Sequence, residues 1–304
     1  MKQMLPISVV VMTFNEERNL QKCLDTIVGR VAEIHIVDSF STDNTTPIGK
    51  SYTDKIHLHH YAGHPQQWEW ALKTLHFECD WIFAVDADFE ITTKLWETMQ
   101  HALERWDGSV EGYFVRHRQV FRGRFLRHGT IYPRHWLRLF RKDKVLIDST
   151  ERVDVHFYVN GPTAVLEGDV IEDNLKERDI VFWIQKQIRF AERHALEELQ
   201  RRDSPVPLPV FGDFWGTSDQ RILWLKDRWY RLPLYWRPFL LFLYRYFLRF
   251  GFLDGKEGLV YHFTQALFYR LLVDIHMDEL RTSRNDKARS VENVALSPVD
   301  QSRR

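Results

Sequence analysis

The first hundred residues alternate between β-rich runs and helical segments, and this alternation constrains the fold more than any other feature. The predicted strands lie at 7–12, 33–37, 55–59 and 81–85. The predicted helices lie at 16–28, from 45 onward, at 65–77 and at 92–106. Strands separated by helices of this length are typical of βαβ units, which build a parallel sheet. We therefore predict an α/β fold with a mostly parallel sheet flanked by helices.

The chain after residue 112 changes to short β-like runs and then to helices. Five of these runs would extend the sheet and line an acceptor site. They lie at 113–116, 136–140, 153–159, 164–166 and 169–171. A helix with one apolar face is predicted at 179–201, within a domain that spans residues 1–202. We expect a proline-rich linker at 203–218, an amphipathic helical region at 219–281 and a polar, disordered tail at 282–304.

The composition excludes several classes of protein. Lys+Arg and Asp+Glu balance at 42 each, which argues against a general nucleic-acid binder. Cys23 and Cys79 are the only cysteines, too few for a disulfide framework, so we expect a reducing cytosol. The sequence shows no secretory signal and no uncharged run of about 18 residues, the length of a membrane-spanning helix.

Two carboxylates end the fourth predicted strand, since Asp86 and Asp88 follow the apolar run 81–85. Two residues apart on an extended segment, they would project to the same side. Unpaired at about 4 Å, they would repel by on the order of 4 kcal/mol. Mg²⁺ or Mn²⁺ relieves such repulsion, because both prefer carboxylate and phosphate oxygens. The pattern predicts a metal and nucleotide-diphosphate site, and capping of the next helix by the same carboxylates is the alternative.

Polar clusters also follow the first two predicted strands, at 13–17 and 38–45. Because the carboxyl ends of parallel strands meet at one edge of a sheet, we expect both clusters to lie beside Asp86. A carboxylate there can accept hydrogen bonds from ribose hydroxyls or from a base N–H, and Asn15 offers amide donors.

These motifs, in this order, resemble the signature of family 2 glycosyltransferases, whose fold is the GT-A nucleotide-diphospho-sugar domain. The matching segments are Val-Val-Val-Met-Thr-Phe-Asn-Glu-Glu (9–17), Ile-Val-Asp-Ser-Phe-Ser-Thr-Asp-Asn-Thr (36–45) and Phe-Ala-Val-Asp-Ala-Asp (83–88). The likeness covers roughly residues 5–200 and is similar in detail to the bacterial group that builds lipopolysaccharide core and exopolysaccharide.

The resemblance implies roles for individual residues. Asp38 and Asp86 would contact the nucleoside of a nucleotide-diphospho-sugar, most simply a UDP-sugar. Asp88, with Asp86, would hold the Mn²⁺ or Mg²⁺ that bridges the donor diphosphate. The other donor-binding residues would be Thr13, Phe14, Asn15, Glu16, Gln67, Ala87 and Arg138. Arg138 and Arg141 can add charge-assisted bonds to phosphate, or they lie solvated on an edge strand.

The general base is the position where the chain departs from the family pattern. The family has a Val-His-Glu motif before a Gly-Pro turn. Counting back from Gly161–Pro162, Asp154 occupies the histidine position and Val155 the glutamate position. Asp154 is the predicted base, with His156 beside it on one strand face. His156, Glu151 and the pair Glu172–Asp173 are alternative bases, and Asp154 could instead form only a salt bridge with Arg152 or Arg178.

Aromatic and basic residues interleave between 221 and 250. On a helical projection the apolar residues share one face and the arginines the other, which is typical of an interfacial membrane helix. The predicted membrane-facing residues are Trp236, Phe239, Leu243, Phe247, Arg245 and Arg249. A core-packed helical hairpin or a homodimer interface is the alternative, and single-stranded nucleic acid is disfavoured by the continuous apolar face.

Together these features predict a metal-dependent, inverting glycosyltransferase. It would move a hexose from a UDP-sugar to a lipid-linked or lipopolysaccharide-type acceptor. We expect it at the cytoplasmic side of the inner membrane, bound peripherally. Transfer to polyprenyl phosphate is one alternative, and a non-catalytic nucleotide-sugar-binding scaffold is another.

Overall fold

The computed structural model describes residues 4–203, 212–216 and 218–295. Its first half is a series of βαβ units. The strands are β1 (Leu5–Thr13), β2 (Val31–Asp38), β3 (Ile56–Leu58) and β4 (Trp81–Asp86). The intervening helices are α1 (Leu20–Asp25), α2 (Thr45–Lys50) and α3 (His64–Thr74). These four strands are parallel and adjacent in the order β3-β2-β1-β4, as the alternation predicted.

The second half extends the sheet with mostly antiparallel pairs. The elements are β5 (Phe89–Ile91), α4 (Thr93–Glu104), β6 (Gly112–Phe121), β7 (Arg124–Phe125), β8 (Arg134–Arg141) and β11 (Thr163–Glu172). The order continues β4-β8-β6-β11-β5, with β8 antiparallel to both neighbours and β7 paired to β6. A separate hairpin pairs β9 (Val145–Ile147) with β10 (Phe157–Val159). The predicted α/β class is confirmed.

The central strands are buried on both sides of the sheet. Strands buried in this way carry apolar side chains on both faces. On one face, β1, β2 and β4 pack against α1 and α4. On the other face, α3 and β10 cover the sheet, with Trp68 and Phe157 in edge-to-face contact at 5.0 Å. Thr92 caps α4 by accepting from Leu95 N, so capping by Asp86 or Asp88 is not needed.

Helix α5 (Ile180–Asp203) connects the sheet to the C-terminal helices. These are α6 (Ser218–Tyr230), α7 (Trp236–Leu243), α8 (Gly255–His262) and α9 (Tyr269–Ala295). A π-helical turn continues α7 at Tyr244–Leu248, and a second continues α8 at Phe263–Phe268. Ala195 of α5 packs against Val273 of α9 in a small apolar core.

A buried ion triad also joins these helices. Arg237 of α7 donates to Glu198 of α5 at 2.5 Å and, through Nε, to Asp274 of α9 at 2.7 Å. All three side chains are buried. The C-terminal helices are therefore attached to α5 by apolar packing and by charge.

Several sequence-based boundaries differ from the structure. The run at 153–159 is strand only from Phe157, because the backbone N–H groups of Arg152 and His156 donate to Glu197 and Glu151 instead of to a neighbouring strand. The runs at 164–166 and 169–171 form one strand, interrupted at Gly168. That residue has φ +105°, and a Cβ there would meet the Leu95 backbone at 2.4 Å.

The tail predicted as disordered from residue 282 is helical to Ala295. Of the linker predicted at 203–218, residues 204–211 and 217 lie outside the described part of the chain, as do residues 296–304 of the tail. No helix within the described ranges is both long enough and apolar enough to span a membrane.

Candidate active site

The strand register brings the predicted polar clusters to one edge of the sheet. Thr13 at the end of β1 pairs with Asp38 at the end of β2. Met12 pairs with Asp86 at the end of β4. The prediction that these clusters share one rim is confirmed, and the rim is the edge at which ligands of α/β sheets bind.

The loops after β1 and β2 are held together by Asp38. Its buried carboxylate accepts from Thr13 Oγ1 at 2.8 Å, from Ser41 N at 2.8 Å and from Ser41 Oγ at 2.5 Å. Asn15 has a left-handed backbone (φ +52°), and its side chain accepts from Thr42 N at 2.8 Å. Asp38 therefore organises the proposed nucleoside pocket, and its direct contact with a nucleoside stays a prediction.

Two other predicted donor residues lie beside this pocket. Gln67 is buried, and its amide bonds Ser39, His59 O and the His59 ring, so its hydrogen-bonding groups are used within the protein. Phe14 is exposed at the rim. Neither lines the cleft described below, which leaves their donor contacts as predictions.

Asp86 ends β4 and Asp88 lies in the turn that follows, so the two residues do not share one extended segment. The carboxylate of Asp88 accepts from Asn174 Nδ2 at 2.9 Å. Burial raises the pKa of Asp88 well above its ordinary value, and repulsion from Glu172, Glu16 and Asp86 raises it further. The expected clustering of negative charge is therefore present, although its geometry differs.

This carboxylate group fits a divalent cation that arrives with a phosphate ligand. Asp88 is repelled by its neighbours, and a cation would remove that repulsion. The described residues contain no group of three or more His, Cys, Asp or Glu side chains arranged around one point. Mg²⁺ in phosphate-transfer sites needs only one or two protein carboxylates, because phosphates and waters complete its shell. Asp86 and Asp88 meet that requirement.

Arg138 lies in the interior of the sheet on β8 and not on an edge strand. Its Nη2 donates to Asp86 Oδ2 at 3.0 Å, and its guanidinium lies against Trp136 and Phe89 at 5.0 and 5.1 Å from the ring centroids. Its Nη1 is buried and has no hydrogen-bond partner among the residues that the structure describes. A buried, unpaired N–H beside the acidic turn is suited to a phosphate oxygen. Arg141 instead lies over Trp106, outside the cleft.

His64, at the start of α3, lies between the acidic turn and the predicted base. Its Nε2 is 3.8 Å from Asp86 Oδ1, and its Nδ1 is 3.7 Å from Asp154 Oδ1. The side chain of Asp154 is 50% exposed. Burial would raise the pKa of Asp154, but the charges of His64, His156 and Arg138 outweigh it and lower the pKa. Asp154 is thus an ionised carboxylate, as a general base must be.

His156 is less suited to proton abstraction, because it is paired with Glu151. Its Nδ1 lies 2.6 Å from Glu151 Oε1, and its backbone N–H donates to the same carboxylate. Burial alone would lower the pKa of His156, but Glu151 outweighs it and raises the pKa. Asp154 makes no ion pair with Arg152 or Arg178 in the described structure. Glu172 is held by His117 at 2.7 Å, and Asp173 by Lys22 and Arg178.

A cleft of about 530 Å³ collects these residues between the sheet edge and the C-terminal helices. Sequence reasoning missed much of its lining, including His64, Asn174, Arg134, Lys186, Arg270 and Tyr261. No local motif marks these positions, since they come together only through the packing of α3, α5, α8 and α9 around the sheet edge.

The predicted membrane-facing residues separate into two groups. Trp236, Phe239, Leu243 and Phe247 are exposed, Trp236 to 71%. Arg249 is exposed as well. The prediction that Arg245 faces the membrane is wrong, because its side chain lines the cleft. The helical projection placed Arg245 on the face opposite the apolar residues, and because those residues are exposed, the opposite face turns toward the cleft.

Comparison with known proteins gives a consistent picture. A family model described as glycosyl transferase family 2 matches residues 8–165. A lipopolysaccharide core biosynthesis glycosyltransferase, LpsC, of Rhizobium meliloti is 32% identical over 156 residues, which are 49% of this chain and 56% of that protein. A Rickettsia typhi glycosyltransferase, RT0209, is 28% identical over 100 residues, covering 32% of this chain and 33% of its own. The chain thus spans about half or less of the length of these relatives.

Solved structures are similar only in part. TarS (1–349) of S. aureus covers 92% of both chains at 14% identity with a TM-score of 0.40. Glucosyl-3-phosphoglycerate synthase of Mycobacterium tuberculosis, in complex with Mn²⁺ and UDP-glucose, covers 37% of this chain and 43% of its own at 19% identity with a TM-score of 0.32.

Proposed function

The chain belongs to glycosyl transferase family 2, and on that premise we propose that it is a metal-dependent, inverting glycosyltransferase. It would transfer a hexose from a UDP-sugar to a lipid-linked or lipopolysaccharide-type acceptor. The observation that carries the proposal is the juxtaposition of Asp88, repelled by its acidic neighbours, with Arg138, whose Nη1 lacks a partner. A cation with a diphosphate satisfies both.

Different residues at the rim would bind the nucleoside, the metal ion and the diphosphate. The loops organised by Asp38 would receive the nucleoside, and Asp86 and Asp88 would hold Mn²⁺ or Mg²⁺ with the diphosphate. When bound, the metal stabilises negative charge on the departing diphosphate. Arg138 Nη1 would donate to the same phosphate oxygens, with its orientation fixed by Asp86.

Inversion needs one base on the side opposite the leaving group. Asp154 is ionised, half exposed and aimed into the cleft, so it would accept the proton of the acceptor hydroxyl. His64 lies between Asp154 and Asp86 and would keep the two carboxylates apart.

The acceptor and location are inferred from the C-terminal helices. We define the apolar surface as the exposed residues Trp236, Phe239, Leu240, Leu243, Phe247, Leu248, Phe250, Phe252, Leu253, Leu259 and Phe263. Large exposed apolar patches mark contact surfaces, and the exposed cations Arg249 and Lys256 adjoin it in sequence. We propose that this surface lies on the cytoplasmic leaflet of the inner membrane, where a lipid-linked acceptor would reach the cleft.

Incubation of the purified protein with UDP-sugars, Mn²⁺ and envelope glycolipid tests the proposal. We expect UDP release that falls at least about 10²-fold in Asp88→Asn, since the electrostatic stabilisation of the leaving group is lost. Asp227→Asn, which removes an exposed carboxylate on α6, serves as the control and should leave the rate unchanged. UDP release that is unaffected by Asp88→Asn would refute the metal role.

A further inference from the structure

The cleft contains arginines that no described carboxylate neutralises. Arg134 is the first residue of β8, Arg245 lies in the π-helical turn after α7, and Arg270 lies on α9. Arg134 donates to Thr130 O at 3.3 Å, and Arg270 bonds the ring of His194 at 3.2 Å. Within the described residues Arg245 makes no hydrogen bond or ion pair, and its Nε is buried.

The surroundings of Arg245 leave its charge uncompensated. Burial lowers the pKa of Arg245 to about 9, and the strongest charge acting on it is that of Arg134. The neighbouring ring of His262 is buried and makes no hydrogen bond to any other described residue, and it supplies no negative charge. A partly buried cation without a counter-ion is unfavourable, so an anion that enters this part of the cleft would be bound.

The position of these arginines separates them from the donor phosphates. Arg134, Trp136 and Arg138 alternate along β8, so they face the same side, and all three line the cleft. Arg138 bonds Asp86 in the acidic turn. Arg134 is four residues away, about 13 Å along the strand at roughly 3.3 Å per residue. This distance exceeds the span of one diphosphate, which places Arg134 toward the acceptor.

The backbone around Arg245 is also specialised. π-helical turns are rare and occur frequently at functional sites. Both such turns border the cleft, where the first supplies Arg245 and the second supplies Gln265.

We propose that Arg134, Arg245 and Arg270 form an acceptor subsite that binds a phosphate or carboxylate group carried by a saccharide. The proposal rests on the proposed function, because the donor site at the acidic turn defines the opposite end of the cleft as the acceptor end. Guanidinium groups suit both anions, since they donate two parallel hydrogen bonds to phosphate or carboxylate oxygens.

Calorimetric titration with glucose 6-phosphate, glucuronate and glucose, each with UDP and Mn²⁺ already saturating, tests the subsite. We expect one of the two anionic sugars to bind at least tenfold more tightly than glucose. Arg245→Gln should lower its affinity at least tenfold, and Arg245→Lys should recover part of the loss. Arg249→Gln, an exposed arginine four residues further on, is the control and should bind like the wild type. Thermal unfolding verifies that each variant is folded.

The subsite would be overturned by equal binding of charged and neutral sugars, or by equal affinity in the wild type and Arg245→Gln. Competition between the anionic sugar and UDP would also overturn it, because the arginines would then belong to the donor site. If UDP with Mn²⁺ does not bind but anionic sugars still bind through Arg245, the donor assignment fails while the anion site stands.

Discussion

Arg138 Nη2 donates to Asp86 Oδ2 at 3.0 Å, across the antiparallel pair β8 and β4. The bond leaves Arg138 Nη1 buried and unpaired beside the acidic turn. Asp86 therefore orients the guanidinium of Arg138 toward the donor phosphates. The second carboxylate oxygen of Asp86 remains available. This pairing explains why an arginine stands in the interior of the sheet, stacked between aromatic rings.

Removal of the Arg138 charge should therefore weaken catalysis more than folding. We expect Arg138→Gln to lower kcat/KM for the UDP-sugar about 10²-fold, since a preorganised donor to the leaving group is lost. Arg138→Lys should be intermediate, because it keeps the charge but not the planar fork. Steady-state kinetics measures both. Arg141→Gln, on the same strand but outside the cleft, should stay within about twofold; an equal loss there would count against the assigned role of Arg138.

The carboxyl edge of the sheet was predictable because its determinants are local. The runs that became β1, β2 and β4 end directly in Thr13, Asp38 and Asp86, and parallel pairing brings those ends together. The geometry of the acidic turn was not predictable, since Ala87 and Asp88 leave the strand and only the tertiary structure places Glu172 nearby.

The second wall of the cleft could not be predicted from local pattern. Arg245 was predicted to face a membrane, but it lines the cleft, because the cleft is formed only when the C-terminal helices pack over the sheet edge. His64 shows no distinguishing sequence signal, because its position between Asp86 and Asp154 follows from how α3 packs on the sheet.

The buried ion triad should make Arg237 indispensable to stability. Among the described residues, Arg237→Met leaves Asp274 with only the Tyr235 backbone N–H at 2.7 Å, and Glu198 with only Arg202 at 2.7 Å. We expect the free energy of unfolding to fall by about 3–5 kcal/mol, as for other broken buried pairs. Denaturant titration measures it. Arg231→Met breaks the exposed pair with Asp227 and should cost less than about 1 kcal/mol. Similar losses of unfolding free energy in Arg237→Met and Arg231→Met would show that the triad adds little to stability.

The buried imidazole of His262 should make stability fall in acid. Burial lowers the pKa of His262 from 6.5 to about 4, with repulsion from Arg245 as a further cause. The unfolded chain therefore binds a proton at a higher pH than the folded chain does. The contribution is complete above pH 6.5 and is lost as the pH falls through 4. At 1.36 kcal/mol per pKa unit the loss is about 3 kcal/mol.

Comparison of wild type with His262→Leu isolates this contribution. Denaturant titrations at several pH values between 7 and 4 should give a shallower decline of the unfolding free energy in the variant, whatever its absolute stability. Parallel declines would mean that His262 does not titrate in the folded protein as described.

The apolar surface should bind vesicles. We expect the protein to float with liposomes that contain anionic lipid, and Trp236→Ser with Leu248→Ser to reduce the bound fraction at least about tenfold. Each removed side chain contributes on the order of 1.5–3 kcal/mol when buried, and 1.4 kcal/mol is a factor of ten. Trp215→Ser removes an exposed tryptophan from another segment and should float normally. Wild-type protein that ignores anionic vesicles would contradict the membrane proposal.

The most direct measurement of the central claim is calorimetric titration of UDP into the wild type and Asp88→Asn, each with and without Mn²⁺. We predict that Mn²⁺ strengthens UDP binding at least tenfold in the wild type and has no effect in Asp88→Asn. Equal enhancement by Mn²⁺ in both proteins, or UDP binding to neither, would contradict the assignment of the acidic turn as the metal and diphosphate site.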